Sequence, residues 1–229
     1  NKLAEIIAPG ITTLDIDRKG EELIRKAGCV PSFLNYEGYP ASICVSVNDE
    51  VVHGIPTDSR RIEEGDIVSL DAGVIYEGYH SDAARTHGVG KISKEAEQLI
   101  AVTKQSFFEG IKMAVAGNYL HDISAEIQKY AESYGFSIVR DLVGHGIGTK
   151  LHEEPQIPNF KPVGRGPKLR PGMTLAIEPM VNAGEWKIWI LEDDCTVVTR
   201  DGSNSAHYEN TILITEGEPE ILSLNETDI

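Results

Sequence analysis

Four acidic residues stand where an ordinary strand would place apolar ones, and they constrain what this chain can fold into. Asp71 closes Ile67-Val68-Ser69-Leu70-Asp71, Glu178 follows Thr174-Leu175-Ala176-Ile177, Glu209 precedes Asn210-Thr211-Ile212-Leu213-Ile214, and Asp82 lies in Tyr79-His80-Ser81-Asp82-Ala83-Ala84. An ionised carboxylate in an apolar strand is costly to bury without a partner. Each acid taken singly is also compatible with a solvated outer face or a satisfied core carboxylate. As a set they predict a fold that gathers all four around cations.

The first two acids flank Glu77-Gly78, and both flanks read as strands, so a hairpin reversing near Glu77 is predicted. In that hairpin Asp71 and Asp82 fall roughly opposite each other on one face, an arrangement of like charges that wants a cation between them. The competing reading is an edge hairpin with both acids in solvent. Glu178 precedes Pro179, which pushes it toward extended backbone at a strand end.

One histidine joins the acids. His145 lies in Val143-Gly144-His145-Gly146-Ile147-Gly148, where glycines allow close backbone approach around the imidazole. The segment does not fit a dinucleotide fingerprint in a βαβ unit, and a plain turn histidine is the alternative. Four carboxylates and one imidazole form a hard, oxygen-dominated donor set, suited to Mn, Fe(II), Co or Mg and unlike a closed thiolate zinc site. The four negative charges match two divalent ions with a bridging hydroxide. Ions paired about 3.5–4 Å apart polarise a carbonyl and lower the pKa of bound water, as in two-metal aminopeptidases.

With these residues in view, the chain resembles methionine aminopeptidase of the bacterial type I group, a metallopeptidase family with the pita-bread fold. The resemblance rests on motifs in order across nearly the whole chain: Ser46-Val47-Asn48-Asp49-Glu50-Val51-Val52-His53-Gly54-Ile55-Pro56, the Asp71 and Asp82 segments, Gly144-His145-Gly146-Ile147-Gly148 with His152-Glu153-Glu154-Pro155, Ile177-Glu178-Pro179-Met180, and Ala206-His207-Tyr208-Glu209-Asn210-Thr211.

The resemblance implies that Asp71 chelates one ion, Asp82 and Glu209 bridge both, and His145 with Glu178 bind the other, the pair being Co, Mn or Fe(II). It implies that Glu178 accepts a proton from the attacking water, that His152 stabilises the carbonyl oxygen or tetrahedral intermediate, and that His53 lies near the leaving amide. The methionine side chain is expected against Tyr36, Tyr39 and Cys44, a setting suited to a polarisable thioether. Phe33, Leu151 and Cys195 stand at substrate-pocket positions where some members carry Cys, Phe and Trp respectively. The implied activity is removal of initiator methionine from nascent polypeptides with a small second residue. The implied partners are nascent N-termini with transient ribosome contact, for a cytoplasmic monomer that binds neither nucleic acid nor membrane. Prolidase and aminopeptidase P share such ligands but usually carry a large N-terminal domain, and non-catalytic relatives lose ligands. The interval from Glu178 to Glu209 leaves no room for the helical insertion of the type II group.

The 229 residues suffice for one catalytic domain over 1–229, which by the resemblance lacks the family's N-terminal segment. Asn1 to Ile7 reads as the tail of a helix stopped by Pro9-Gly10. With 36 acidic against 21 basic residues the net charge is −15, unfavourable for nucleic acid and favourable for cationic N-terminal amines. Cys29, Cys44 and Cys195 have no metal-type spacing and read as free thiols. Helices are expected from about Thr13 to Lys26, from Ser93 to near Gly117, and from Asp122 to Gly135 with Ile123, Ile127, Tyr130 and Tyr134 on one face. Residues 159–171 read as a surface loop. Helices on one side of a curved, largely antiparallel sheet, in two pseudo-two-fold halves without sequence identity, make the expected class α+β.

Overall fold

The computed structural model describes residues 2–224. The first helix, α1 (Thr13–Lys26), begins as its sequence dictates. The Thr12 hydroxyl accepts from the Asp15 amide at 3.1 Å and the Asp15 carboxylate accepts from the Thr12 amide at 3.2 Å, a reciprocal cap. Gly28, at φ +78°, takes the left-handed turn that ends it. Ile16, Asp17, Gly20 and Ile24 form its buried face. Asp17 Oδ1 accepts from the amides of Ser42 (2.9 Å) and Ile43 (3.0 Å), which anchors the chain as it enters strand Cys44–Val47.

Ser93 caps α2 (Lys94–Ile111) by accepting from the Ala96 amide at 3.1 Å. The helix stops at Ile111 instead of near Gly117, because the following turn is held elsewhere. Gly117 N–H donates to Leu169 O (3.0 Å), Leu169 N–H donates to Asn118 O (2.8 Å), and the Asn118 side chain donates to Met113 O (3.1 Å). The third helix, α3, runs Leu120–Ser133, and Asp122 lies inside its first turn, where its carboxylate accepts from Tyr119 N–H at 3.0 Å. Leu120, Ile123, Ser124, Ile127 and Ala131 are its buried residues. Tyr130 packs partly buried against this core, whereas Tyr134 leaves the predicted face for solvent, its ring centroid 5.1 Å from that of Tyr130. Gly110 of α2 faces Ile127 of α3 with no space for a Cβ, so these helices pack closely.

Among the described residues every strand pairing is antiparallel. Near the N-terminus, strands Cys44–Val47, Ile67–Asp71 and Ala84–Gly88 lie side by side, with Ile43, Val45, Val68 and Leu70 packed in one core with Ile16 and Ile24 of α1. In the second half, Glu153–Pro158, Val143–Gly146, Thr174–Ile177, Asn210–Leu213 and Glu220–Ile221 form a five-stranded sheet in that order. Its core residues, Ile157, Leu175, Ile177 and Ile212, join Leu99, Phe107, Ile123 and Ile127 of α2 and α3. The two halves meet along a seam: Glu209 N–H donates to Ala84 O at 2.9 Å, and Ala84 N–H returns a longer bond to Glu209 O at 3.3 Å.

The expected helix tail before Pro9 is a short 3-10 turn, Ala4–Ile6, and Asn1 lies outside the described residues. The 159–171 loop is pinned at both ends, since Asn159 and Leu169 are buried. All three cysteines are free. Among the described residues no helix is long and apolar enough to cross a membrane.

Candidate metal centre and substrate cleft

The seam is where the four acids converge, though not through the hairpin the sequence suggested. A turn does form at Glu77 and Gly78, whose φ values of +50° and +85° suit a tight two-residue loop. The flanks, however, are each broken. Val74–Tyr76 pairs with Tyr79–Ser81 in one small sheet, whereas Ile67–Asp71 pairs with Ala84–Gly88 in another. Asp71 is therefore opposite Ala84, and Asp82 sits at the break. The cause lies across the seam: the Thr211 hydroxyl accepts from Asp82 N–H (2.8 Å) and bonds its carbonyl (3.0 Å), drawing that residue out of the ladder toward the second half.

His145 is set by its glycines. A Cβ at Gly144 would overlap Ala176 O, and one at Gly146 would overlap Glu154 O, so both neighbouring strands close onto the histidine's backbone. The imidazole Nδ1 donates to Gly146 O at 2.9 Å, which leaves Nε2, 3.6 Å from Glu178 Oε1, as a free lone pair facing the acids. Gly144→Ala is expected to lose about 3 kcal/mol of stability through this backbone overlap, read as a lowered urea midpoint; an unchanged midpoint would show that the strands can part. Glu178 ends its strand with its carbonyl accepting from the Asn159 side chain at 3.0 Å. Glu209 is fixed through its own carbonyl, which accepts from the Arg85 guanidinium; Arg85 also donates to Asn210 Oδ1 at 2.7 Å and lies 4.2 Å over the Tyr208 ring.

Ligand atoms of Asp82, His145 and Glu209 lie within 4.8 Å of one another, and so do those of Asp71, His207 and Glu209. Glu209 belongs to both triads. Asp71 Oδ1 and Glu209 Oε1 are buried without hydrogen-bond partners among the described residues. Burial, together with the other carboxylates, pushes Asp71, Glu178 and Glu209 well above the usual carboxylate range, and burial raises Asp82 to about 6. Burial also pulls His145 down to about 4, keeping its imidazole neutral and able to act as a ligand. Crowded carboxylates with orphaned oxygens and a free imidazole nitrogen are a donor set made for divalent cations.

The remaining predicted site residues surround this centre. A cavity of about 360 Å³ is lined by Asp71, Asp82, His145, Glu178 and Glu209 together with Phe33, Tyr36, Tyr39, Cys44, His53, Leu151, His152 and Cys195. Tyr39 directs its hydroxyl away into backbone, donating to Ile43 O (3.2 Å) and Gly54 O (2.9 Å). Burial holds Cys44 as a thiol. These two residues with Phe33 and Leu151 form an apolar wall, against which Tyr36 and Cys195 pack. His152 stands at the mouth, its Nδ1 bonded to the Tyr36 hydroxyl at 2.9 Å and its ring edge-on to His145 at 4.4 Å. His53 adopts φ +60°, a left-handed backbone that points the chain into Gly54. Beyond His53, His145, His152 and Glu178 a wider cleft of about 810 Å³ continues past Thr149, Lys150, Glu153 and Gln156.

Sequence reasoning assigned no role to Arg85, Asn159, Thr211 or His207. The first three hold ligand-bearing backbone from outside the cluster, through contacts with residues distant in the chain. His207 lay in a motif already noted, and a histidine in an apolar strand two residues from Glu209 was its signal.

A buried carboxylate and imidazole cluster at the joint of two antiparallel halves, opening on a cavity and a cleft, defines a metal-dependent hydrolase of pita-bread fold. The chain belongs to metallopeptidase family M24, which residues 1–216 match. It is 58% identical over 224 residues to a methionine aminopeptidase of Clostridium perfringens, covering 98% of this chain and 90% of that protein. The structure of a methionine aminopeptidase from Thermotoga maritima superposes with a TM-score of 0.96 at 47% identity, over 98% of this chain and 90% of that one. A prolidase from Pyrococcus furiosus matches with a TM-score of 0.74 at 22% identity, over 98% of this chain and 59% of that one, and shares the fold.

Proposed function

We propose that this chain removes the N-terminal methionine of nascent polypeptides, with a small second residue preferred, using two divalent ions drawn from Co, Mn or Fe(II). The observation that carries the reading is the pairing of spaces at the carboxylate cluster. One is a cavity of about 360 Å³ that joins the carboxylates to the apolar wall, with room for one side chain beside that wall, and the other a larger cleft of about 810 Å³ that continues from His53, His145, His152 and Glu178 for the chain that follows. That asymmetry suits removal of one terminal residue. Phe33, Tyr39, Cys44 and Leu151 offer the thioether an apolar wall, with Tyr36 and Cys195 at its outer side.

Asp71, Asp82, His145, Glu178 and Glu209 would hold the ions. Bound there, the ions supply polarisation of the scissile carbonyl and a lowered pKa for the attacking water. Glu178 takes the proton from that water and delivers it to the departing amine, while His145 stays neutral. His152, steadied by Tyr36, donates a hydrogen bond to the developing oxyanion, and His53 orients the amide. His152→Ala is expected to lower kcat about 10²–10³-fold with little change in bound metal. A kcat within threefold of wild type would remove His152 from the reaction.

The reading is tested by stripping the protein with chelator, restoring Mn, Fe(II) or Co separately, and measuring release of the first residue from Met-Ala-Ser and from Ala-Pro peptides. Metal-dependent release of methionine alone is expected. Turnover only of the proline peptides would replace the reading with a proline-directed peptidase.

A further inference from the structure

One buried group beside the ligands is left without a function by the mechanism. The His207 side chain is 1% exposed, and neither ring nitrogen has a hydrogen-bond partner among the described residues. A buried imidazole with both nitrogens unpartnered is costly unless something outside the polypeptide satisfies it. Its position is not free to relax. His207 pairs with Met180 in the ladder, its N–H donates to the Thr86 hydroxyl at 2.8 Å, and its carbonyl accepts from that same hydroxyl at 2.9 Å. Thr86 is in turn bonded to Ser69 at 2.8 Å, in the strand that ends at Asp71.

From this fixed backbone the ring reaches the acids. Nε2 lies 3.8 Å from Glu178 Oε2 and 3.8 Å from Glu209 Oε2. These distances are too long for hydrogen bonds. They suit a shared five-coordinate ion: two donors at about 2.0–2.2 Å from one divalent cation lie about 3.5–3.8 Å apart across the 120° equatorial angle. The two triads make the same point, because Asp71 and Glu209 close on His207 as Asp82 and Glu209 close on His145.

We propose that His207 Nε2 is a further metal ligand, bound to the ion held by Asp71 and Glu209, so that each ion of the pair carries one imidazole. The five-ligand set read from the sequence places its single imidazole on one ion only, whereas here two strands of the second half, Val143–Gly146 and Ser205–His207, each bring one to the acids. The inference rests on the paired-ion reading above, and its test is independent of peptide turnover.

The probe is Co(II) itself. Cobalt K-edge X-ray absorption on the loaded protein counts imidazoles by their multiple scattering. Wild type is expected to show two per pair, and His207→Gln, which keeps a polar side chain of similar length, one. In parallel, titration of stripped protein should show affinity for one Co(II) falling about 10–100-fold in His207→Gln, by analogy with the loss of groups that support metal ligands. A His145→Gln variant calibrates the loss of a single imidazole. One imidazole per pair in wild type, or an equal count in wild type and His207→Gln, would overturn the proposal. The wild-type count decides even where the variant fails to fold. Stoichiometry on the same samples tests the ion pair separately, since loss of an imidazole on substitution is readable with one ion bound or two.

Discussion

Glu209→Gln is expected to abolish metal-dependent release of methionine from Met-Ala-Ser while making the metal-free protein more stable. The two effects have one cause. Glu209 lies in both ligand triads and one of its oxygens is buried without a partner, so in the loaded protein its loss removes a donor shared by the whole centre. A metal centre contributes several kcal/mol of charge stabilisation, and each 1.36 kcal/mol is tenfold in rate, so kcat should fall about 10³-fold or more. Without metal the same carboxylate is a liability, crowded by Asp82, Glu178 and Asp71 and held protonated by burial. Replacing it by a neutral amide of equal size should raise the stability of the stripped protein by about 1–3 kcal/mol at pH 8, read from urea unfolding. Because its backbone is tied by Ala84 and Arg85 and not by its side chain, the substitution should leave the seam intact. A variant that keeps full activity would remove Glu209 from the centre; one that loses activity and stability together would make its role structural.

How much of this was legible in the chain depends on range. Thr12 with Asp15, Ser93, and the glycines at 28 and 135 act within a turn of their targets, and α1 in particular has the bounds that its sequence predicts. Asp71, Glu178 and Glu209 stood out because a carboxylate breaks the apolar pattern around it, and that violation needs no knowledge of the partner. What could not be read is whatever a distant segment imposes. The break at Asp82 is made by Thr211, 129 positions away, and without that contact the Asp71 and Asp82 flanks read as one continuous hairpin. The same holds for α2, whose last predicted turn is given up to bonds with Leu169 and Asn118. Asn159 lies at the edge of a polar loop that its burial contradicts. His207 differs again, since its residue type was visible and only its two orphaned nitrogens, known from packing, make it notable.

Removing the metal should destabilise the protein more at pH 9 than at pH 7, with the loaded protein changing less than the stripped one over the same range. The sign follows from the direction of each shift. Asp71, Glu178 and Glu209 have folded pKa values raised well above those of an unfolded chain, and Asp82 is raised to about 6. A group shifted upward contributes stability below its unfolded pKa and loses it as pH rises through the folded value, because the unfolded chain ionises first. The buried histidines act oppositely: His87 and His145 are held down to about 4 and His207 to about 3, so the unfolded chain binds more protons and stability grows with pH until about 6.5. Below pH 6.5 the two contributions oppose each other. Above pH 7 the histidines have finished; the buried Cys44 thiol adds a loss toward pH 9 that stripped and loaded protein share, and the stripped protein should lose in addition up to about 1.4 kcal/mol per pH unit for each carboxylate still protonated in the fold. Bound cations make ionised carboxylates the favoured state at every pH in this window and cancel the carboxylates' slope. Urea midpoints of stripped and Co(II)-loaded protein at pH 7, 8 and 9 measure the difference. A gap that widens with pH is expected, and a gap that narrows would mean the acids are already ionised in the empty site, held by a counter-charge other than metal.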